Sequence, residues 1–256
     1  VIVTCGTSEL KHVELPVEKI SEGNSCQTLT AAGWVTGAIR NSTYLMNPET
    51  LDIIYDLGVK KDRLSEFTAM WDLLKIMYLQ VQKNGGIPFH AALIENSGKG
   101  IVLCARGDTG KSTCCKRIPL PWRPLCDDET LVVRVGPQQY AAHPFPTWSE
   151  YLLGNNAATW NVKQSVPLVA IAFLDQSSED KLIPLKQAQA AVFINVFVSL
   201  FNFEIMAQLD REDKRVLRTQ IFDNISNLAR SVPSYILKVS LTGRFWEELE
   251  KIEGMI

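Results

Sequence analysis

The densest chemical signal in the chain is the run Ile101-Val-Leu-Cys-Ala105-Arg-Gly-Asp-Thr-Gly110-Lys111-Ser112-Thr113. An apolar stretch that reads as a buried strand feeds a loop of small residues, and Gly-Lys-Ser then opens a helix. A phosphate-cradling loop requires that order. Gly107 and Gly110 let the backbone bend so that its N–H groups point inward at phosphate oxygens. Lys111 is placed to reach the β- and γ-phosphates, and Ser112 offers a hydroxyl to magnesium. The start of the following helix turns its positive end to the anion. Arg106, Asp108, Thr109 and Thr113 complete the candidate loop. Ala105 stands where the usual pattern has its first glycine, a change the looser form of the motif tolerates. The ligands expected here are ATP and Mg2+.

Two further groups stand near this loop in the sequence. Pro119, Pro121 and Pro124 stop the helix early, and Cys126-Asp127-Asp128-Glu129 then leads into the apolar run Thr130 to Val135. A carboxylate here would hold magnesium, which takes few protein ligands and keeps several waters. A second would accept the proton of an attacking hydroxyl. Elsewhere such an acidic run is a solvated turn. Neighbours on a strand point to opposite faces, so both can serve only if the strand ends or twists between them. Before the loop, Phe89-His90-Ala91-Ala92-Leu93-Ile94 carries a histidine which, taken alone, reads as a hydrogen-bonded core residue. His143-Pro-Phe-Pro-Thr-Trp148 either lines a substrate groove or packs as an ordinary loop. His12 has no partner that the sequence names.

The short interval from Lys111 to Asp127, with His90 on a preceding strand, resembles the HPr kinase/phosphorylase-like P-loop kinases and their phosphoenolpyruvate carboxykinase-like fold. The resemblance is best over residues 86 to 174, and the terminal Gly243-Arg-Phe-Trp-Glu-Glu fits more loosely. Gly110-Lys-Ser-Thr-Cys-Cys-Lys-Arg, Cys-Asp-Asp-Glu-Thr and His143-Pro-Phe-Pro-Thr-Trp are also similar to the HPr-kinase-related group of the SynChlorMet cassette, which is tied to peptide modification. The resemblance implies a kinase that phosphorylates a hydroxyl of a peptide, protein or small molecule. It implies catalytic roles for His90, Asp127 and Asp128. One Asp would be the base and the other would hold magnesium, with Asp127 placed beside Ser112 on the metal side. The acidic segment that HPr kinase carries farther on has no clear counterpart here, which sets the phosphorylase half of that reaction, and HPr as substrate, aside. The alternative is a nucleotide-gated interaction module with little or no phosphotransfer. A GTPase is not expected, because Asn161-Val-Lys163-Gln has neither the spacing nor the acid of a guanine-reading segment.

The elements that must position these groups read as an α/β chain. Residues 1 to 83 are expected to form a small α+β module. Its strands would lie near Thr28 to Ala32, Trp34 to Ile39 and Leu51 to Leu57. Its helix is marked by Phe67, Met70, Trp71, Leu74, Met77, Tyr78 and Val81. Asn84-Gly85-Gly86 ends that helix. Residues 84 to 256 are expected to form the P-loop domain, a mixed sheet with flanking helices. Its strands are Ala91 to Ile94, Gly100 to Cys104, Thr130 to Val135, Val166 to Leu174 and Ser234 to Ser240. Its helices are 185 to 209, 211 to 230 and 244 to 252. Phe193, Phe197, Phe201 and Phe203 recur at helical spacing, as core residues do.

Lys plus Arg total 26 against 28 Asp plus Glu, so no basic excess points to nucleic acid. The apolar run Ala188 to Met206 is interrupted by Asn195, Asn202 and Glu204, which favours a buried helix over a membrane span. The six cysteines form no metal spacing and no disulfide framework, and a reducing cytoplasm is expected.

Overall fold

The computed structural model describes residues 2–4, 34–39, 42–47, 52–56, 62–107, 109–145, 160–208 and 210–253. Contacts divide the chain into two compact units, with the division between Gln80 and Val81. In the first unit β1 (Ile2–Thr4), β2 (Val35–Ile39), β3 (Ser42–Met46) and β4 (Ile53–Asp56) form a sheet of order β1-β4-β3-β2. The helix α1 (Arg63–Lys83) begins in this unit. Its start is fixed by a reciprocal cap: Ser65 N donates to Asp62 Oδ1 at 2.8 Å, and Ser65 Oγ donates to the Asp62 carbonyl at 2.8 Å. The apolar stripe of α1 packs Ala69, Leu73 and Ile76 against Ile39, Ile53 and Tyr55. The helix stops at Asn84-Gly85-Gly86, where Gly85 has φ +85° and Gly86 N donates to the Val81 carbonyl. The expected strand at Thr28 to Ala32 lies outside the described residues.

The second unit begins with β5 (Ile87–Asn96) and β6 (Lys99–Cys104). They form an antiparallel hairpin whose turn residues, Ser97 and Gly98, both have positive φ. After these come α2 (Lys111–Arg117), β7 (Arg123–Cys126), β8 (Glu129–Gly136), β9 (Gln139–Pro144) and β10 (Val166–Gln176). The chain closes with β11 (Lys181–Pro184), α3 (Gln187–Gln208), α4 (Arg211–Ser231), β12 (Ser234–Val239) and α5 (Phe245–Leu249). The sheet order is β11-β12-β10-β6-β5-β8-β9, with β7 also on β5. β10 runs parallel to both β6 and β12, and the remaining pairings are antiparallel, so the sheet is mixed. The start of β10 also pairs with β9, so the pairings of β10, β6, β5, β8 and β9 form a closed cycle.

Strand alternation sorts the side chains onto two faces. Ala92, Ile94, Ile101, Leu103, Ala105, Ala172 and Leu174 share one core with Cys114 and Cys115 of α2 and Phe245 and Leu249 of α5. From the other face Phe173 reaches α3, its ring 5.0 Å from Phe193 and 5.6 Å from Phe197. Phe197 is a buried packing residue, as its spacing indicated, whereas Phe193 touches Phe173 but stays exposed. Val192 and Val196, on the same helix, are exposed. Among the described residues no helix is long and apolar enough to cross a membrane.

Besides β1 and β3 of the first unit, three strands of the second unit were not evident in the sequence: β7, β9 and β11. Each contains a proline and is short, so intrinsic preference argues against it, and pairing with neighbours supplies what preference does not.

Phe245 is fully buried and lies under the Arg117 guanidinium, 5.5 Å from its ring centre. Phe245→Ala is expected to cost about 3–5 kcal/mol of unfolding free energy, the range for deleting a buried aromatic. Urea denaturation of the full chain measures it, and a loss below about 1 kcal/mol would mean that α5 is not part of this core.

Candidate functional site

The loop between β6 and α2 is shaped by one glycine. Gly110 caps α2 with φ +102°, a left-handed conformation that side chains rarely adopt. A Cβ added at Gly107 or Gly110 would meet no heavy atom within 4 Å, so both glycines border open space. Thr109 N donates to the Arg106 carbonyl at 3.2 Å, which tightens the bend. Arg106 and Gly107 are exposed, and Thr109 and Gly110 are half-buried. Asp108 lies outside the described residues. The helix that follows is only seven residues long, ended by Ile118 before Pro119. So short a helix contributes little dipole, and the anion-binding character rests on the loop backbone and Lys111 instead. Ser112 and Thr113 are exposed on its first turn.

Lys111 is the centre of the site. The residue is buried to 7% exposure, yet its ammonium is paired. Nζ donates to Asp128 Oδ1 at 2.9 Å and lies 3.0 Å from His90 Nε2. His90 Nδ1 is 3.5 Å from the same Asp128 oxygen. An ammonium group can only donate, so Nε2 must carry the ring's lone pair and Nδ1 its proton. His90 is therefore a neutral imidazole with its N–H towards the carboxylate. Its pKa is held below the ordinary value of 6.5, first by burial and then by the Lys111 charge, with Asp128 pulling the other way.

The fold explains how three distant residues meet. His90 is on the same face of β5 as Ala92 and Ile94, which pack beneath α2. β7 and β8 both run antiparallel to β5, with Cys126 opposite Leu93 and Glu129 opposite His90. Asp127 and Asp128 are the break between them. Thr130 Oγ1 donates to the Ala91 carbonyl at 2.9 Å and Cys126 Sγ to the Glu129 carbonyl at 3.0 Å, so side chains hold the interrupted ladder together. Both carboxylates lie in the interruption, between Cys126 at the end of β7 and Glu129 at the start of β8, so strand alternation binds neither.

Asp127 is half-buried and makes no hydrogen bond or ion pair among the described residues. Its charge helps to raise the Cys115 and Cys126 thiols, which marks the α2 side as its neighbourhood. Burial is the larger cause, pushing Cys115 up to about 12 and Cys114 and Cys126 to about 11. Burial thus disfavours the reactive thiolate form of these three cysteines. Among the described residues no three of His, Cys, Asp and Glu cluster as a metal site. A cation at Ser112 and Asp127 would have few protein ligands, an arrangement suited to magnesium with waters and phosphates.

His143 and Pro144 belong to β9, and Phe145 is buried with its N–H on the Glu129 carbonyl at 2.9 Å. This part of the aromatic run packs against the break that presents the carboxylates. Pro146, Thr147 and Trp148 lie outside the described residues.

The sequence model of one protein family, described as SynChlorMet cassette protein ScmC, matches residues 53–253. No curated protein matches the chain.

In the ligand-free protein His90 is expected to titrate below 6.5. Lys111→Met should raise that pKa, and Asp128→Asn should lower it further. Folding then favours neutral His90, so this residue costs nothing above its unfolded pKa and stability falls as pH drops below it. Nitrogen-15 NMR of the imidazole checks the order; a Lys111→Met variant with an unchanged or lower pKa would contradict the pairing.

Proposed function

We propose that this chain, which belongs to the SynChlorMet cassette protein ScmC family, is an ATP- and Mg2+-dependent kinase of the HPr-kinase-like kind. Its acceptor is a hydroxyl of a peptide, a protein or a small molecule. The observation that carries the reading is the contact of Lys111 Nζ with both Asp128 and His90 at the mouth of a glycine-bent loop. A phosphate-facing cation, a carboxylate and a neutral imidazole within hydrogen-bond reach of one another are the parts a phosphoryl transfer to an alcohol needs.

The residues divide the work as follows. Backbone N–H groups of Gly107 to Ser112 cradle the phosphates, and Lys111 offsets their charge. Ser112 and Asp127 would hold magnesium, which neutralises charge on the phosphate oxygens when bound. Asp128, with His90 behind it, takes the proton from the acceptor hydroxyl. The acceptor oxygen bonds to the γ-phosphorus as the bond from that phosphorus to the β,γ-bridging oxygen breaks, and ADP leaves. Lys111 must release Asp128 for this to happen, so phosphate binding itself would free the base.

That exchange also favours a second reading. A Lys111–Asp128 pair broken by nucleotide is a switch, and a switch alone suffices for a nucleotide-gated interaction module.

Lys111→Ala is expected to abolish measurable ATP binding while the fold persists, as read by calorimetry with Mg2+ and by circular dichroism. Unchanged ATP affinity would remove the P-loop reading. Asp127→Asn and Asp128→Asn separate the two carboxylates. The first should weaken Mg2+-dependent ATP binding and turnover together. The second removes the competitor for Lys111, so it should leave ATP affinity at or above the parent's and lower transfer of radiolabelled phosphate by about a hundred- to ten-thousand-fold. If both variants transfer phosphate as well as the parent, the roles given to Asp127 and Asp128 fail. If neither parent nor variant transfers phosphate while ATP still binds, the gated module replaces it.

A further inference from the structure

A cavity of about 530 Å3 opens beside the phosphate loop, on the flank away from His90 and Asp128. It shares Gly110 and Thr113 with the loop and the first turn of α2. Its far wall is Gln176 and Ser177 at the end of β10, with Ser240 and Leu241 just past β12. We infer that this cavity receives the base and ribose of the bound triphosphate; the inference rests on the phosphate-loop reading above.

Topology is the first argument. In the order β12-β10-β6-β5, the loop leaves the carboxyl end of β6. β10 and β12 run parallel to β6, so their carboxyl ends open at the same edge of the sheet. Open α/β sheets bind ligands outside those ends. The catalytic groups stand on β5 and on the β7–β8 break, on the other side of β6. Nucleoside and acceptor would then approach the transferred phosphate from opposite flanks, as a roughly in-line displacement needs.

The wall itself is braced. Arg117 Nη1 donates to the Ser240 carbonyl at 2.7 Å, and Nη2 donates to the Gly243 carbonyl. Ser240 N donates to Asp180 Oδ1 at 2.6 Å, and Gly243 N to Ser240 Oγ at 2.9 Å. Ser177 N donates to the Val239 carbonyl at 2.9 Å. Thus α2, the turn after β10 and the turn after β12 form one hydrogen-bonded frame. Arg117 holds that frame together through both terminal nitrogens. At its lip Leu241 is 87% exposed, a large apolar side chain with little cover. A heteroaromatic ring laid against Leu241 would shield it, and the hydroxyls of Ser177 and Ser240, each accepting one backbone N–H, keep a proton to donate to polar edges. The volume suits a nucleoside, being within the usual range of small-ligand sites.

The test is calorimetry of the full chain with Mg2+, using ATP and inorganic tripolyphosphate as separate probes. Leu241→Asp and Ser177→Phe alter the cavity without touching the loop; Val192→Asp, exposed on α3, is the control. The parent should bind ATP at least about tenfold more tightly than tripolyphosphate. Each cavity variant should lose that advantage, falling about tenfold for ATP with tripolyphosphate affinity unchanged. The control should match the parent for both probes. ATP affinity at the parent's level in both cavity variants would place the nucleoside elsewhere and overturn this inference alone. A parent that binds neither probe would overturn the phosphate-loop reading, and this inference with it.

Discussion

A lysine ammonium almost never sits in a protein interior unless something holds its charge. Lys111 is nearly buried, and it is held by Asp128 and by the lone pair of His90. Much of the second unit can be understood as the means of bringing those two groups to it. β6 delivers the loop and so the lysine. β5, next to β6, delivers the imidazole on the face that packs under α2. The β7–β8 break, on the far side of β5, delivers the carboxylate. Remove either partner and a buried charge loses compensation, which is costly. The resting site is therefore self-satisfied without ligand, and a polyanion entering the loop would compete with Asp128 for the same ammonium.

The break in the strand is the second constraint. A regular ladder would send Asp127 and Asp128 to opposite faces of the sheet. The interruption frees both from strict alternation, with the Cys126 thiol bonding across it to the Glu129 carbonyl and the Thr130 hydroxyl bonding to the Ala91 carbonyl of β5. This gives the cysteine a use unrelated to reactivity. Its thiol is a weak donor in a buried turn, and burial keeps it protonated.

The parts legible in the sequence were those whose chemistry is local. Ile101 to Thr113 announced strand, loop and helix because glycine placement and apolar runs are read from neighbours alone. The α1 stripe and its Asn84-Gly85-Gly86 stop were legible for the same reason. The meeting of His90, Lys111 and Asp128 was legible only through the family resemblance, because it depends on which strands pair, and pairing is a long-range fact. β7, β9 and β11 escaped notice because Pro124, Pro144 and Pro184 weaken the strand pattern. The frame tying Arg117 to Ser240 and Gly243 was hidden too, since an arginine in a short helix carries no mark of a partner more than a hundred residues away.

The most direct trial of the central claim, that phosphate displaces Asp128 and His90 from Lys111, is the pKa of His90 itself. It should be followed by nitrogen-15 NMR while Mg2+ and a non-hydrolysable ATP analogue are added to the full chain. Drawing the ammonium onto phosphate removes a cation from beside the imidazole and brings an anion close, so the pKa of His90 must rise on binding. An analogue that binds and leaves that pKa unchanged, or lowers it, would mean that Lys111 keeps its resting partners and that the phosphates lie somewhere else.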